Sequence, residues 1–241
     1  MPQESPQFET TLWSVILCAA HEPDSSAGRD ALERLCRVYW YPVYSFIRRR
    51  GRNPVDAEDL TQGFFAQILR NGFLRRADPE RGRFRAFLLN AVKNHLSDER
   101  ARANAERRGG TAERISFDGA LAEQWLALEP SAVNDAAVAF DRSWALTLVN
   151  HALGTLEAEQ RDQGKAENFA VLKAFLQRPP DKGEYESVAT QLGMRKGAVA
   201  TAVHRLGERY REIVRKAVKD TVASVEMADE ELRFLLATLS N

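Results

Sequence analysis

Residues 81–108 hold the side chains best suited to binding chemistry in this sequence of 241 residues. A helical stripe runs through them, with members three and four residues apart: Phe84, Phe87, Leu88, Ala91, Val92, His95 and Leu96. The other faces supply cationic and amide groups, and the candidate binding residues are Arg83, Arg85, Asn90, Lys93, Asn94 and Arg102. A helix that is apolar on one side and basic on the other suits a polyanion. We therefore predict a polyanion-binding helix, with an ordinary solvated helix face as the alternative.

A second basic segment, residues 192–219, contains eight Lys and Arg against two Glu. Just before and within it, Ala189, Gly193 and Val199 stand at helix-turn-helix spacing. The small Ala lets two helices cross closely, the Gly adopts the positive φ of a tight turn, and the Val fills the space between the helices. The pattern predicts a DNA-binding helix-turn-helix, and a plain helical hairpin is the alternative.

The second helix of this motif is predicted to begin near Arg195 and Lys196. Cations at a helix N-terminus oppose the helix dipole, and Arg195 stands where a capping side chain is usual. A DNA phosphate bound there would resolve the conflict, whereas a tolerated surface misfit is the alternative. On the exposed face, Thr201, His204 and Arg205 are candidates for contacts with base edges or phosphates.

Overall charge is balanced, because 34 Lys and Arg face 34 Asp and Glu, but the charges are segregated along the chain. Acidic residues concentrate at 56–59 and 220–231, which indicates several partners. Cys18 and Cys36 are too few for a disulfide framework, so a cytoplasmic location is expected. Together with His21 they offer three zinc ligands where a structural site needs four, so no metal is predicted. No apolar run reaches membrane-spanning length.

Helical periodicity dominates the chain, and no segment alternates with period two, so the predicted fold is all-α. Asn53 is predicted to cap a helix that begins at Pro54 and buries Leu60, Phe64 and Ile68. Further helices are predicted at 8–20, 29–50, 141–159 and 165–177, and in the second of these Pro42 is expected as a kink and Gly51 as the end. Loops are predicted at 21–28 and 71–83. Residues 109–139 are predicted to form a linker with one short helix.

Three stretches, taken with the helix-turn-helix, resemble a bacterial RNA polymerase sigma factor of the sigma-70 superfamily, in the small extracytoplasmic-function-like group IV. YWYPVYSFIRR looks like region 2.1, and DAEDLTQGFF (56–65) looks like the region 2.2 signature. FRAFLLNAVKNHLSDERAR (84–102) is similar to regions 2.3 and 2.4, with Lys93, Asn94 and Asp98 on the family's basic-Asn-x-x-x-Asp pattern. The helix-turn-helix corresponds to region 4.2.

The resemblance implies a non-enzymatic subunit, without cofactor or metal, that binds core RNA polymerase and directs promoter recognition and melting. Asp56, Glu58, Asp59 and Gln62 would bind the β′ clamp helices, and the β flap is a second polymerase contact. Residues 71–83 would capture a flipped −10 base. The non-template −10 strand would be held by Arg83, Arg85, Asn90, Lys93, Asn94 and Arg102. Arg195, Lys196, Thr201, His204 and Arg205 would contact the −35 element. An anti-sigma factor is a further partner that the family allows.

The resemblance also predicts five segments: an N-terminal segment (1–28), the region 2 domain (29–108), a linker (109–140), the region 4 domain (141–218) and a C-terminal acidic, helical extension (219–241). Three features depart from the family pattern. Gly63 stands where an acidic residue is usual, the recognition helix is rich in alanine, and the stretch after Lys219 extends past the family's minimal end.

Two other functions compete with this interpretation. A stand-alone helix-turn-helix regulator would need only the second basic segment. A helical metallonuclease would use Asp56, Glu58 and Asp59 as metal ligands. Only Asp56 and Asp59 share a helix face, and no third carboxylate or His is placed to complete their set.

Overall fold

The computed structural model describes residues 25–70, 73–78, 83–105, 119–128, 135–219, 222 and 225–240. These residues form helices and no strand, so the all-α prediction is confirmed. In chain order the helices are α1 (Ser26–Arg49), α2 (Pro54–Arg70), α3 (Phe84–Ala105), α4 (Gly119–Leu128), α5 (Ala136–Asp162), α6 (Ala166–Leu172), α7 (Glu184–Gln191), α8 (Lys196–Lys219) and α9 (Val225–Ser240), with 3-10 turns at Phe73–Arg76 and Lys173–Leu176. The predicted helix 8–20, Cys18 and His21 lie outside the described residues.

The chain divides into two compact units. One comprises Met1–Thr147 and Lys219–Asn241, and the other comprises Leu148–Val218. Within the described residues, no helix combines the length and apolar character needed to cross a membrane.

Helix α1 begins inside the predicted loop 21–28, because the Ser25 hydroxyl accepts a hydrogen bond from the Gly28 amide at 2.9 Å. It ends as predicted, with Gly51 at a φ of 83°. Pro42 lies inside one continuous helix and does not divide it into two segments. All residues from 41 to 47 are buried, so packing around the proline outweighs its missing amide hydrogen bond.

The core of the first unit lies where α1, α2 and α3 meet. On α3 the predicted stripe is confirmed, since all its members are buried except Phe87, which is half-buried. Edge-on contact between the rings of Tyr39 and Phe84, with centroids 5.3 Å apart, joins α1 to α3. Free Cys36 is buried in the same core, and burial raises the pKa of its thiol to about 12.

The short helix predicted in the linker is α4, and it packs on α1. Glu123 accepts hydrogen bonds from the Tyr44 hydroxyl and from Arg48 Nε, both at 2.6 Å. The Trp125 ring contacts the Tyr41 ring edge-on at 5.1 Å. The start of α5 joins the same unit through the Ser143 and Ser45 hydroxyls, which are 2.9 Å apart.

The N-terminal part of the first unit therefore ends at Thr147, inside α5. The expected boundaries were a linker at 109–140 and a second domain from 141. The difference arises because the described part of the linker carries buried anchors such as Ala122, Ala139 and Phe140. The predicted C-terminal helix is α9, which belongs to the first unit and buries Ala228, Glu231 and Leu235.

The second unit contains α6, α7 and α8 with the end of α5. Lys165–Gln177, predicted as one helix, is α6 followed by a 3-10 turn. Helices α7 and α8 are joined by a short turn in which Gly193 has a φ of 63°. Val199 is fully buried, as the helix-turn-helix pattern predicts. Among the other residues of that pattern, Val188, Ala189 and Leu206 are buried, while Leu192 and Val203 are half-buried.

Candidate nucleic-acid interface

The N-terminus of α2 is fixed by Asn53, as predicted. The Asn53 Oδ1 atom accepts a hydrogen bond from the Asp56 amide at 2.8 Å, and its Nδ2 group donates to Asp56 Oδ2 at 3.0 Å. Pro54 occupies the first helical position, where its missing amide proton has no cost. This reciprocal cap fixes the acidic segment Asp56–Gln62 on the first turns of α2.

The exposed face of α2 combines carboxylates with apolar side chains. Asp56 and Asp59 are exposed, while Glu58 and Gln62 are half-buried and joined by a 3.2 Å hydrogen bond. Leu60 was predicted in the core with Phe64 and Ile68, but it is half-buried, and Thr61 is buried in its place. The Thr61 hydroxyl tolerates burial because it donates to the Ala57 carbonyl at 2.6 Å.

Beside these carboxylates, Val55 is 69% exposed, which makes this face amphipathic. Acidic and apolar groups together suit a protein partner better than a nucleic acid. In the part of the chain that the structure describes, no group of three or more His, Cys, Asp or Glu side chains is placed to hold a metal ion.

The polar face of α3 presents amide groups and one lysine. Asn90 and Asn94 are exposed, and Lys93 is half-buried beside them. At about 100° per residue these three positions lie within one sector of the helix, opposite the buried stripe. The side chain of Arg102 lies outside the described residues, although its backbone continues α3.

Arg85 does not lie on that face. Only 7% of the residue is exposed, so the expectation that it faces solvent is wrong. Its Nε group donates to Glu231 Oε1 at 2.6 Å, and its Nη1 group binds Asp141. The guanidinium carbon lies 4.0 Å from the centre of the Phe234 ring and 5.1 Å from that of Trp144. Arg85 lies inside the apolar stripe, about 20° from both Val92 and Leu96, where other helices can cover it.

The protonation states in this cluster follow from burial and mutual charge. Burial opposes the charged form of Arg85, but its hydrogen bonds to Glu231 and the charges of Asp141 and Glu231 raise its pKa on balance. Burial raises the pKa of the Asp141 carboxyl, and the charge of Arg85 offsets only part of that rise. An ion cluster of this kind tolerates burial because each charge retains hydrogen-bond partners.

Arg83 forms the outer part of the same cluster. Its Nε group lies 2.7 Å from Glu231 Oε2, and its Nη2 group lies 3.4 Å from Glu230 Oε2. The Arg83 side chain retains 29% exposure and Glu230 retains 61%. These acidic partners were not predicted from the sequence. The excess of acidic residues at 220–231 was a signal that this segment pairs with a basic segment elsewhere in the chain.

The predicted base-capture loop 71–83 is described at 73–78 and 83, and it is not wholly irregular. Phe73–Arg76 form a 3-10 turn in which Leu74 is buried. The Phe73 ring lies 5.1 Å from the Phe87 ring of α3, which ties the turn to the candidate DNA-binding helix.

In the second unit, the candidate DNA-contacting residues lie at the surface of α8 and just before it. Arg195, Thr201, His204 and Arg205 are all exposed. Lys196 forms an ion pair with Glu186 of α7, and both side chains are more than half exposed. Glu186 therefore offsets the cation at the start of α8, a role that the sequence analysis gave to phosphate alone. The Thr201 hydroxyl donates to the Gly197 carbonyl at 2.9 Å.

Thr201 and Arg205 also line a groove of about 710 Å³ in this unit. Its other lining residues include apolar Phe169 and Leu172 of α6 and cationic Lys165.

Comparison with known families gives one match. Residues 39–106 match the family model described as Sigma-70 region 2, a span that runs from the second half of α1 to the end of α3. No curated protein and no solved structure matches the chain. The match therefore covers the helices that carry the acidic face of α2 and the amide face of α3, and over residues 39–106 the chain is similar to Sigma-70 region 2.

Proposed function

We propose that this chain is a sigma factor, a non-enzymatic subunit that binds core RNA polymerase and directs promoter recognition, DNA melting and transcription initiation. The observation that carries the proposal is the match of residues 39–106 to Sigma-70 region 2. Within that span an exposed acidic face on α2 and an exposed amide face on α3 form two separate surfaces, one for a protein and one for a nucleic acid.

The docking surface on polymerase is the face of α2 that carries Asp56, Glu58, Asp59 and Gln62. Its carboxylates suit a basic partner, and exposed Val55 adds apolar area that a protein interface would bury. The partner in this proposal is the β′ clamp helices. The Asn53 cap supports the proposal because it holds the acidic turns rigid before binding.

The −10 strand lies along the α3 face that carries Asn90, Lys93 and Asn94. These side chains are exposed or half-buried, so they can reach an unpaired strand without rearranging the core. Amide groups bind unstacked base edges, and the lysine binds backbone phosphate. Arg102 continues this surface by sequence, and residues 71–83 capture the flipped base.

The −35 element is contacted by the second unit, in which α7 and α8 act as a helix-turn-helix and also contact the β flap. The positive φ of Gly193 and the full burial of Val199 support this proposal. Exposed Thr201, His204 and Arg205 lie along α8 for base or phosphate contacts. The Lys196–Glu186 pair is solvent-exposed and therefore weak enough for a DNA phosphate to replace the carboxylate.

The experiment that tests the proposal is charge reversal at Asp59. Asp59→Lys should abolish co-purification with core RNA polymerase, because one carboxylate is lost and a like charge faces the basic partner. Far-UV circular dichroism should stay unchanged, since Asp59 is exposed. Asp30→Lys is the matched control, an equal charge reversal at an exposed position on α1.

Equal recovery of polymerase with Asp59→Lys and Asp30→Lys would contradict the docking surface. Sequence-specific duplex binding by a chain that never binds polymerase would instead identify a stand-alone regulator. Run-off transcription with reconstituted polymerase completes the test.

A further inference from the structure

Helix α9 covers the arginines at the start of α3. By sequence α9 carries four carboxylates against one arginine. Glu231 is 1% exposed and binds both Arg83 and Arg85, and Glu230 adds a longer contact to Arg83. Two of the six residues assigned to the −10 strand from the sequence are therefore occupied by carboxylates of the same chain.

We propose that α9 is an acidic lock whose carboxylates occupy Arg83 and Arg85 in place of nucleic-acid phosphates. The N-terminal end of α3 can then offer these arginines to a nucleic acid only when α9 moves away. This inference rests on the proposed function, which assigns α3 to single-stranded promoter DNA.

Carboxylates and phosphates compete for a guanidinium group because both accept its parallel N–H donors with the same geometry. Glu231 bridges two guanidinium groups with its two oxygens, because Oε1 binds Arg85 Nε and Oε2 binds Arg83 Nε. A backbone phosphate could replace it between the two arginines without any change in the chemistry of the contact.

The attachment of α9 depends strongly on charge. Its deeply buried residues are Ala228, Glu231 and Leu235, so a carboxylate occupies the centre of its packed face. Leu236 remains 56% exposed. A helix held this way loses its central anchor when a competing polyanion takes the arginines, whereas a helix held by apolar packing alone would not respond.

Exposure indicates the order in which the contacts exchange. The Arg83–Glu230 contact is the outer one, with side chains 29% and 61% exposed. The Arg85–Glu231 contact is inside, with side chains 8% and 1% exposed. A phosphate can reach Arg83 first, and Arg85, which also binds Asp141 of α5, can exchange Glu231 for a phosphate only after α9 has left.

The experiment uses the full chain and a fluorescein-labelled single-stranded oligodeoxynucleotide of mixed sequence, with binding followed by anisotropy over a range of salt concentrations. The variants are Glu231→Gln, which keeps the shape of the buried side chain, and Glu230→Gln, which changes an exposed one and should fold normally. Asp229→Asn is the matched control, because it removes an exposed charge from the same helix at a position outside these ion pairs.

Glu231→Gln should bind the oligonucleotide several-fold more tightly than the wild-type chain, with a steeper salt dependence by about 0.7 for each arginine released. Glu230→Gln should show a smaller change in the same direction, and Asp229→Asn should match the wild type. In the wild-type chain, the oligonucleotide should also increase amide hydrogen exchange in 225–240.

Unchanged affinity in both glutamate variants, or oligonucleotide binding that leaves exchange in α9 unaltered, would overturn the lock and make the cluster purely structural. Its failure is distinguishable from that of the proposed function. If the oligonucleotide releases α9 but the chain never binds core polymerase, the lock stands and the sigma-factor assignment fails. If the chain supports run-off transcription while α9 stays protected, the lock alone fails.

Discussion

The starts of α3 and α8 look alike in sequence and differ in structure. Each carries two basic residues within a span of three, Arg83 and Arg85 in the first unit and Arg195 and Lys196 in the second. Arg85 is buried among two carboxylates and two aromatic rings. Lys196 has one exposed ion pair, with Glu186. A basic residue therefore supports the fold at one helix start, whereas a basic residue at the other remains available to solvent.

The difference lies in where the carboxylates come from. Glu231 is 146 residues from Arg85 along the chain, and only the packing of α9 brings them together. Glu186 is ten residues from Lys196 and lies on the neighbouring helix α7. A buried charge depends on its partner, because an unpaired buried charge is very costly, whereas an exposed pair contributes little.

The largest expected effect is at Arg85. Arg85→Leu leaves Glu231 buried without its main partner, so the first unit should lose about 3–5 kcal/mol of unfolding free energy. All four tryptophans belong to the first unit, so urea titration followed by tryptophan fluorescence reports on it directly. Arg195→Leu is the control and should change stability by less than about 0.5 kcal/mol.

The double variant Arg85→Leu/Glu231→Leu sharpens this prediction. Removing both charges should recover part of the loss, because Glu231 is then no longer a buried carboxylate that has lost its main partner, whereas Asp141 still lacks Arg85. If Arg85→Leu alone unfolds at the wild-type urea concentration, the cluster is not a stabilising element.

The next effect concerns Glu123, the anchor of α4. Glu123→Gln weakens the contacts with Tyr44 and Arg48, and loss of charge-assisted hydrogen bonds at a half-buried site should cost about 1–3 kcal/mol. The hydrogen bond from Arg48 lowers the pKa of the Glu123 carboxyl. The stabilisation is therefore present above the ordinary glutamate pKa and is lost as the pH falls through the lowered value.

The difference in stability between wild type and Glu123→Gln should accordingly shrink in acid. Urea titrations at neutral pH and at about pH 3 measure it. A difference that stays constant over that range would show that the charge of Glu123 does not matter.

Much of this fold could be predicted from local sequence. Asn53, Gly51 and Gly193 were identified because caps and turns depend on a few neighbouring residues. The stripe on α3 was identified because burial on a helix repeats every three to four residues. The possible division of α1 at Pro42 is not found, because the effect of a proline inside a helix depends on packing from other helices.

The candidate site was less predictable than the fold. Periodicity placed Asn90 and Asn94 on an exposed face. Arg85 was assigned to solvent because of its charge, although its position lies between Val92 and Leu96 in the stripe, and α5 and α9 cover it. Leu60 was misplaced because the position of a stripe edge is set by the neighbouring helices. Contacts between segments far apart in sequence leave only a weak signal, here the excess of acid at 220–231.

A smaller effect is expected at Arg195, which precedes the first residue of α8 and whose carbonyl accepts from the amides of Ala198 and Val199. Arg195→Ser supplies a capping hydroxyl and removes a cation from the helix N-terminus, so the second unit should gain up to about 1 kcal/mol. Affinity for promoter DNA should fall if Arg195 binds phosphate. A gain in thermal stability with undiminished affinity would identify Arg195 as an ordinary surface residue.

The smallest effect on stability is expected at Lys196, although its effect on DNA binding should be clear. Removing an exposed ion pair costs at most about 1 kcal/mol, so Lys196→Ala and Glu186→Gln should unfold almost as the wild type does. Their effects on DNA should be opposite. Lys196→Ala removes a phosphate contact and should lower the salt slope of duplex binding by about 0.9, with a similar loss of affinity on every sequence.

Glu186→Gln leaves the lysine without its carboxylate competitor and should therefore raise duplex affinity. Fluorescence anisotropy with a −35 duplex and an unrelated duplex of equal length measures both variants. If both variants lower affinity, the Lys196–Glu186 pair positions α8 for binding and is not displaced by phosphate. The start of α8 would then resemble the start of α3, where an ion pair serves the fold, and the contrast between the two helix starts would fail.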